Sequence, residues 1–314
     1  SAQSALAKIG VLGFNNDGLV ALAKIDTLIF DKTGTLTQGK MTRTDDRYYV
    51  EDTAEAFAIA CALEKSSLHP LASAFPEASS LQVENAVLIP AMGIQGDING
   101  RQYRIGRADF ACRQTDDGRL WLGDGEKALA SFSISDKLRD DAKQTVAMLQ
   151  QSGLQVHILS GDAKTKVASL AENLNIVDFS ARQNPEQKSA YLKQLQSQNH
   201  VVAMIGDGIN DALVLAGADV SIAMGGGAAI AQRSADMLVC GEKLDRIVQA
   251  RNIAIKTQKI IRQNLQWALL YNAVSIPVTA MGLIHPGLAA LGMVSSSLLV
   301  SLNALRLKKS AVPT

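Results

Sequence analysis

Asp31 is followed without interruption by Lys32, Thr33, Gly34 and Thr35, and it ends the apolar run Ile25-Asp26-Thr27-Leu28-Ile29-Phe30. A run of this kind reads as a buried strand, and a strand closing on a carboxylate and a glycine turn sets that carboxylate at the carboxyl edge of a sheet. Asp31 is the candidate nucleophile: a carboxylate can attack the γ-phosphorus of ATP in line if Mg²⁺ and a lysine offset the charge that develops. A lone aspartate at a strand end ordinarily caps a turn. Two further apolar runs end the same way. Gln155-Val156-His157-Ile158-Leu159 stops at Ser160, Gly161 and Asp162, whose hydroxyl and turn amides suit phosphate oxygens. Val201-Val202-Ala203-Met204-Ile205 runs into Gly206-Asp207-Gly208-Ile209-Asn210-Asp211, where two carboxylates and an amide on one loop suit Mg²⁺, a hard cation. Taken alone, Lys188 reads as a solvated helix charge.

Three strands with chemistry at their ends require a parallel sheet with crossover helices, an α/β fold. From 44 to 127 the chain turns polar and irregular, with Gly96-Asp97-Ile98-Asn99-Gly100 and Asp116-Asp117-Gly118 as hairpin turns, so a separate lobe is expected there. The 314 residues suffice for two cores, and a net charge of +1 offers no electrostatic case for nucleic acid. Mean hydropathy is +0.08, and the excess sits at the end. Leu265 to Ile284 and Pro286 to Leu305 contain no Asp, Glu, Lys or Arg. Each run is about long enough to cross a ~30 Å hydrocarbon core, and only His285 separates them, which predicts a membrane hairpin. Lys256, Lys259 and Arg262 before it and Arg306, Lys308 and Lys309 after it place both ends, and the catalytic lobes, in the cytoplasm. Cys61, Cys112 and Cys240 are dispersed and form no metal-ligand pattern.

The DKTGT motif at Asp31 to Thr35, GDGxND at Gly206 to Asp211, P-x-x-K at Pro185 to Lys188 and D-x-L-R at Asp136 to Arg139 occur in the order found in P-type ATPases, which the chain resembles. The resemblance implies a haloacid-dehalogenase-type phosphorylation domain with an inserted α+β nucleotide-binding domain, followed by a two-helix transmembrane hairpin. The implied segments are a linker over 1–23, the phosphorylation domain over 24–43 and 128–250, the nucleotide domain over 44–127, and helices over 260–284 and 286–306. It gives Asp31 the role of phosphorylated residue and Lys188 that of phosphoryl contact, and assigns Asp31, Asp207 and Asp211 to Mg²⁺. Phosphatases of the superfamily usually carry an aspartate where Thr33 stands, so Thr33 favours a lasting phosphoenzyme. Glu64 and His69-Pro70 resemble the nucleotide signature of heavy-metal pumps, with Gly93 and Gly106 as its glycines. Ala91 stands where the family usually has a glycine, and Arg107 where an asparagine is common.

Within the hairpin, Tyr271-Asn272 and Met293 with Ser296 and Ser297 resemble the copper(I) subclass, and a thioether suits that soft ion, whereas Zn²⁺ would be expected to recruit a carboxylate. Ser297 to Leu307 and Ala218 to Gly226 are similar to the bacterial pumps that serve cytochrome oxidase assembly. The implied location is a bacterial inner membrane crossed several times. The implied partners are membrane lipid, copper(I), a copper chaperone and an amino-terminal pump portion bearing the actuator domain and upstream spans. A phosphatase of the same superfamily and an inactive remnant are the alternatives. Thr33 and the hairpin speak against the first, and intact Asp31, Lys188, Asp207 and Asp211 against the second.

Overall fold

The computed structural model describes residues 2–66, 70–75, 79–90, 92–208, 212–225, 235–281 and 286–306. It divides into two units, Ser1–Leu36 with Arg139–Thr314, and Thr37–Leu138.

The first unit is built on a seven-stranded sheet. Its strands are β1 (Val11–Gly13), β2 (Thr27–Asp31), β9 (Gln155–Leu159), β10 (Asp178–Ser180), β11 (Val202–Gly206), β12 (Val220–Met224) and β13 (Met237–Val239). The order is β1-β13-β12-β11-β2-β9-β10, and every pairing but the edge pair β1–β13 is parallel. Every residue of β2, β11 and β12 is buried, the state expected of strands covered on both faces and the reason they read as continuous apolar runs. The chain leaves β2 for β9 and β10 on one side and for β11 to β13 on the other. The carboxyl ends of β9, β2 and β11 therefore flank the point where strand order reverses, the usual place for a ligand in open α/β sheets.

The second unit is a six-stranded antiparallel sheet ordered β3-β8-β7-β6-β5-β4. Its strands are β3 (Thr37–Tyr48), β4 (Glu84–Ile89), β5 (Gly93–Ile98), β6 (Arg101–Gly106), β7 (Leu120–Gly123) and β8 (Ala128–Leu138). The lobe expected over 44–127 lies inside this unit, whose limits are wider because both connecting segments are strands. β3 and β8 pair from Thr37 opposite Leu138 to Tyr48 opposite Ala130. Asn99 and Gly100, both at positive φ, make the two-residue turn between β5 and β6. Helix Thr53–Lys65 covers the sheet, with Ile59 and Leu63 in one core with Ile94, Ile98, Ile105 and Phe132.

The long helix Asp245–Ala280 belongs to the first unit. Ile247, Ala250, Ile253, Ala254, Thr257 and Ile260 are buried at helical spacing, and beyond Leu265 the apolar side chains are exposed. Helix Pro286–Leu305 packs against it. The Asn303 amide donates to Asn264 Oδ1 at 2.9 Å, and Gly292 leaves room for the Tyr271 hydroxyl, which a Cβ there would meet at 2.8 Å. The expectation of membrane-crossing helices meets a limit here. Among the described residues no helix is long and apolar enough to cross a membrane. In the first of the two, Gln266, Asn272, Ser275 and Thr279 dilute the apolar run, and residues 282–285 lie outside the described set.

Candidate active site

Asp31 ends β2 opposite Leu159 of β9, with β11 on its other flank through the pairing of Phe30 with Ile205. Ser160 and Asp207 therefore follow the ends of the two neighbouring strands. Asp31 is 6% exposed and Lys188 5%. The Lys188 ammonium donates to Asp31 Oδ1 at 2.7 Å, so the lysine that reads as a solvated charge is a buried counter-ion. Its position follows from the start of helix Pro185–Ser197. Asn184 accepts from the Gln187 amide, the Gln187 side chain accepts from the Asn184 amide, and Pro185 opens the first turn.

The loop after Asp31 is a turn with Thr33 at φ −75°, ψ 128° and Gly34 at φ 71°, ψ −7°. This type II geometry demands glycine in its third position. Glycine is needed for space as well, since a Cβ on Gly34 would lie 2.9 Å from Asp207 Oδ2. Asp207 is thus held against the backbone that carries Thr33. Lys32 pairs with Asp162. Buried Ser160 accepts from the Asp162 amide at 3.1 Å through its hydroxyl oxygen, which leaves the hydroxyl proton for an acceptor, and Gly161 beside it is exposed.

Arg139 has a role that motif reading did not reveal. It is 6% exposed, and its guanidinium donates to Thr35 O at 2.7 Å, to Gly34 O at 2.8 Å and to Glu242 O at 2.8 Å. A planar fork on three carbonyls fixes the turn from behind. The only sequence signal was its place in D-x-L-R.

In the second unit, Gly93 and Gly106 sit directly opposite each other on β5 and β6. A Cβ on Gly93 would meet Ile105 O at 2.1 Å, and one on Gly106 would meet Met92 O at 2.1 Å, so the close strand approach excludes any side chain at either position. Glu64 is 4% exposed, its Oε2 has no hydrogen-bond partner, and burial pushes its carboxyl up from 4.5 to about 7. Between these values the folded unit holds a proton that the unfolded chain has released. Stability of this unit should therefore fall as pH rises from about 4.5 through 7, by about 3 kcal/mol in all, and Glu64→Gln should remove the slope. Hydrogen exchange of the Thr53–Lys65 amides between pH 5 and 8 measures it, and a flat wild-type profile would contradict the assignment.

His69 and Asp211 lie outside the described residues. Tyr271 and Ser296 line a cavity of about 400 Å³ between the last two helices, together with Trp267, Val274, Gly292 and Leu299. Asn272, Met293 and Ser297 do not line it, and Met293 is 66% exposed. Adjacent positions on an α-helix lie about 100° apart, so Tyr271 and Asn272 point to different sides of theirs, as do Ser296 and Ser297. Among the described residues no cluster of three or more His, Cys, Asp or Glu could hold a metal ion.

A family model described as haloacid dehalogenase-like hydrolase matches residues 25–219. The chain is 37% identical over 331 aligned positions to the probable copper-transporting ATPase SynA of Synechococcus, covering 98% of this chain and 42% of that protein. It is 34% identical over 333 positions to the probable copper-exporting P-type ATPase V of Mycobacterium tuberculosis, covering 96% of this chain and 42% of that one. A zinc-transporting PIB-type ATPase solved in its E2.Pi state superposes with a TM-score of 0.86 at 30% identity, over 98% of this chain and 53% of that one. The chain thus spans about half, or less, of the length of each of these three proteins. With β2, β9 and β11 converging on Asp31 and the family match running through all three, the chain belongs to the haloacid dehalogenase-like hydrolases, and the proteins it matches along nearly its whole length are cation-transporting ATPases, copper and zinc transporters among them.

Proposed function

We propose that this chain is the phosphorylating, nucleotide-binding and last-two-helix portion of a copper(I)-exporting P-type ATPase. The observation that carries the reading is the buried Asp31–Lys188 pair at the strand-order reversal, with Asp207 held against the following turn. An Asp31 carboxylate oxygen attacks the γ-phosphorus of ATP, the new O–P bond forms as the bond to the β-phosphate oxygen breaks, and ADP leaves. Lys188 moves its charge from the carboxylate to the phosphoryl oxygens as the aspartyl phosphate forms. Ser160 donates its free proton to the same oxygens, beside the amides of Gly161 and Asp162. Thr33 offers no carboxylate to speed hydrolysis. The carboxylates of Asp31 and Asp207 are hard donors that fit Mg²⁺, with Asp211 as a third; when bound, the ion offsets phosphoryl charge. ATP recognition falls to the second unit through Glu64, His69, Gly93 and Gly106.

The charge-free run of the long helix from Leu265 onward and helix Pro286–Leu305 form a hairpin in the membrane, with the catalytic units cytoplasmic. Its support is the exposed apolar stretch from Leu265 onward, framed by Lys256, Lys259 and Arg262 at one end and Arg306 at the other. Tyr271, Asn272, Met293, Ser296 and Ser297 contribute to the copper path only with ligands from an amino-terminal portion of the pump, because a lone thioether with neutral oxygens is a weak site. A copper chaperone would deliver the ion, and a bacterial inner membrane would house the pump.

The test is ATPase activity of the full-length pump in vesicles, titrated with Cu(I) and with Zn²⁺. Cu(I) stimulation that is lost in Met293→Ala is the expected result. Stimulation by Zn²⁺ alone would reassign the ion.

A further inference from the structure

His157 is a buried ring at the centre of β9, 4% exposed, and its sequence neighbours give it no task in phosphoryl transfer. Its Nδ1 lies 2.7 Å from the Tyr191 hydroxyl, and the two rings meet edge to face with centroids 5.9 Å apart. Tyr191 stands three residues after Lys188 on helix Pro185–Ser197. Residues three apart share a helix face, so Lys188, Tyr191, Leu192 and Leu195 form one face, and the two leucines are buried in the core beside β2 and β11. On the sheet, His157 pairs with Ile29 of β2, two residues before the pairing of Leu159 with Asp31. The helix is therefore pinned twice to adjacent strands, by an ion pair at the catalytic edge and by a hydrogen bond one pleat repeat deeper.

We propose that the His157–Tyr191 hydrogen bond is a positioning device for Lys188, fixing the helix so that the ammonium meets Asp31 and then the phosphoryl group attached to it. A lysine side chain has four rotatable bonds and places its charge loosely by itself, so the rigidity must come from its backbone. Lys188 is the fourth residue beyond the cap, near the first turn of its helix, where fraying is easiest. The Tyr191 anchor lies in the next turn and limits rotation and sliding of the first. Burial lowers the His157 pKa from its usual value, which favours the neutral ring, and either neutral tautomer can hydrogen-bond the Tyr191 hydroxyl through Nδ1.

The proposal rests on Asp31 as the phosphorylated residue, and two separate readouts keep the failure of one apart from the failure of the other. Tyr191→Phe keeps the ring and deletes only the hydroxyl. It should slow phosphorylation of Asp31 by Mg·ATP about tenfold, a loss of the size of one hydrogen bond, with the KM for ATP unchanged. His157→Leu should cost a similar factor, and the double variant no more than either alone, since both break one interaction. Independently of any turnover, competitive acetylation read by mass spectrometry should show Lys188 modified several-fold faster in Tyr191→Phe, with the exposed Lys164 and Lys166 unchanged as controls. An unaltered Lys188 acetylation rate, or additive losses in the double variant, would overturn the positioning role. Absence of label on Asp31 in the wild-type chain, with Lys188 protection still lost in Tyr191→Phe, would overturn the catalytic reading and leave the anchor standing.

Discussion

Asp31→Asn should abolish acid-stable, hydroxylamine-sensitive label from γ-labelled ATP, a loss on the order of a thousandfold or more, because the amide is nearly isosteric and a poor nucleophile. The same substitution has a structural cost that a surface aspartate would not show. Lys188 is buried against Asp31, and removing one member of a buried pair costs about 3–5 kcal/mol. The asparagine oxygen still accepts one hydrogen bond, so the lower end of that range is expected. Hydrogen exchange of the β2 and β9 amides in Asp31→Asn should report an unfolding free energy lower by about 3 kcal/mol. Asp31→Asn combined with Lys188→Met should regain most of it while remaining unlabelled. Label persisting in Asp31→Asn would remove Asp31 as the nucleophile, and a double variant no more stable than the single would show that the buried charge is not the cause of the loss.

Arg139→Lys should lower the rate of phosphorylation about a hundredfold and leave affinity for a non-hydrolysable ATP analogue within about twofold. The charge is retained, and the fork that reaches the carbonyls of Gly34, Thr35 and Glu242 is lost. Forfeiting two charge-assisted hydrogen bonds costs about 3 kcal/mol, which is about two decades in rate if the turn must be rebuilt for each transfer. Quenched-flow labelling and calorimetric titration measure the two quantities. Equal losses in both would mean that Arg139 supports the fold at large, and no loss in rate would mean that the turn holds without it.

Elements whose burial follows one simple rule could be read from residue types. β2, β9 and β11 are apolar runs because both faces of the sheet are covered, and each ends in the residues that gather around Asp31. The Asn99-Gly100 turn announces itself by composition. β3 was hidden, since Arg43, Asp45, Asp46 and Arg47 alternate with nothing apolar enough to mark a face, and register shifts between Thr37 and Met41 and between Arg43 and Asp45 break its period. Lys188 and Arg139 were legible only as motif members. No local pattern marks a charge for burial, because its partner lies 157 residues away for Lys188 and more than 100 for the Arg139 contacts. The long helix begins at Asp245, well before the charge-free run, because its first turns are amphipathic and carry the lysines and arginines that seemed to delimit a span.

The continuity of that helix sets a mechanical ratio. Its 36 residues amount to about 54 Å, and only the segment up to Ile260 is embedded in the first unit. Beyond Ile260 the arm packs against helix Pro286–Leu305, so the two helices together behave as a beam clamped at one end. A tilt of about 5° at the clamp displaces the far tip, about 30 Å away, by about 3 Å, roughly half a helical turn of a neighbour. The catalytic unit therefore has no need of a large internal rearrangement to do work at a distance. Stiffness is then the property on which the helix depends, and a flexible insertion between Ile260 and Leu265 would uncouple the tip while leaving the chemistry at Asp31 intact.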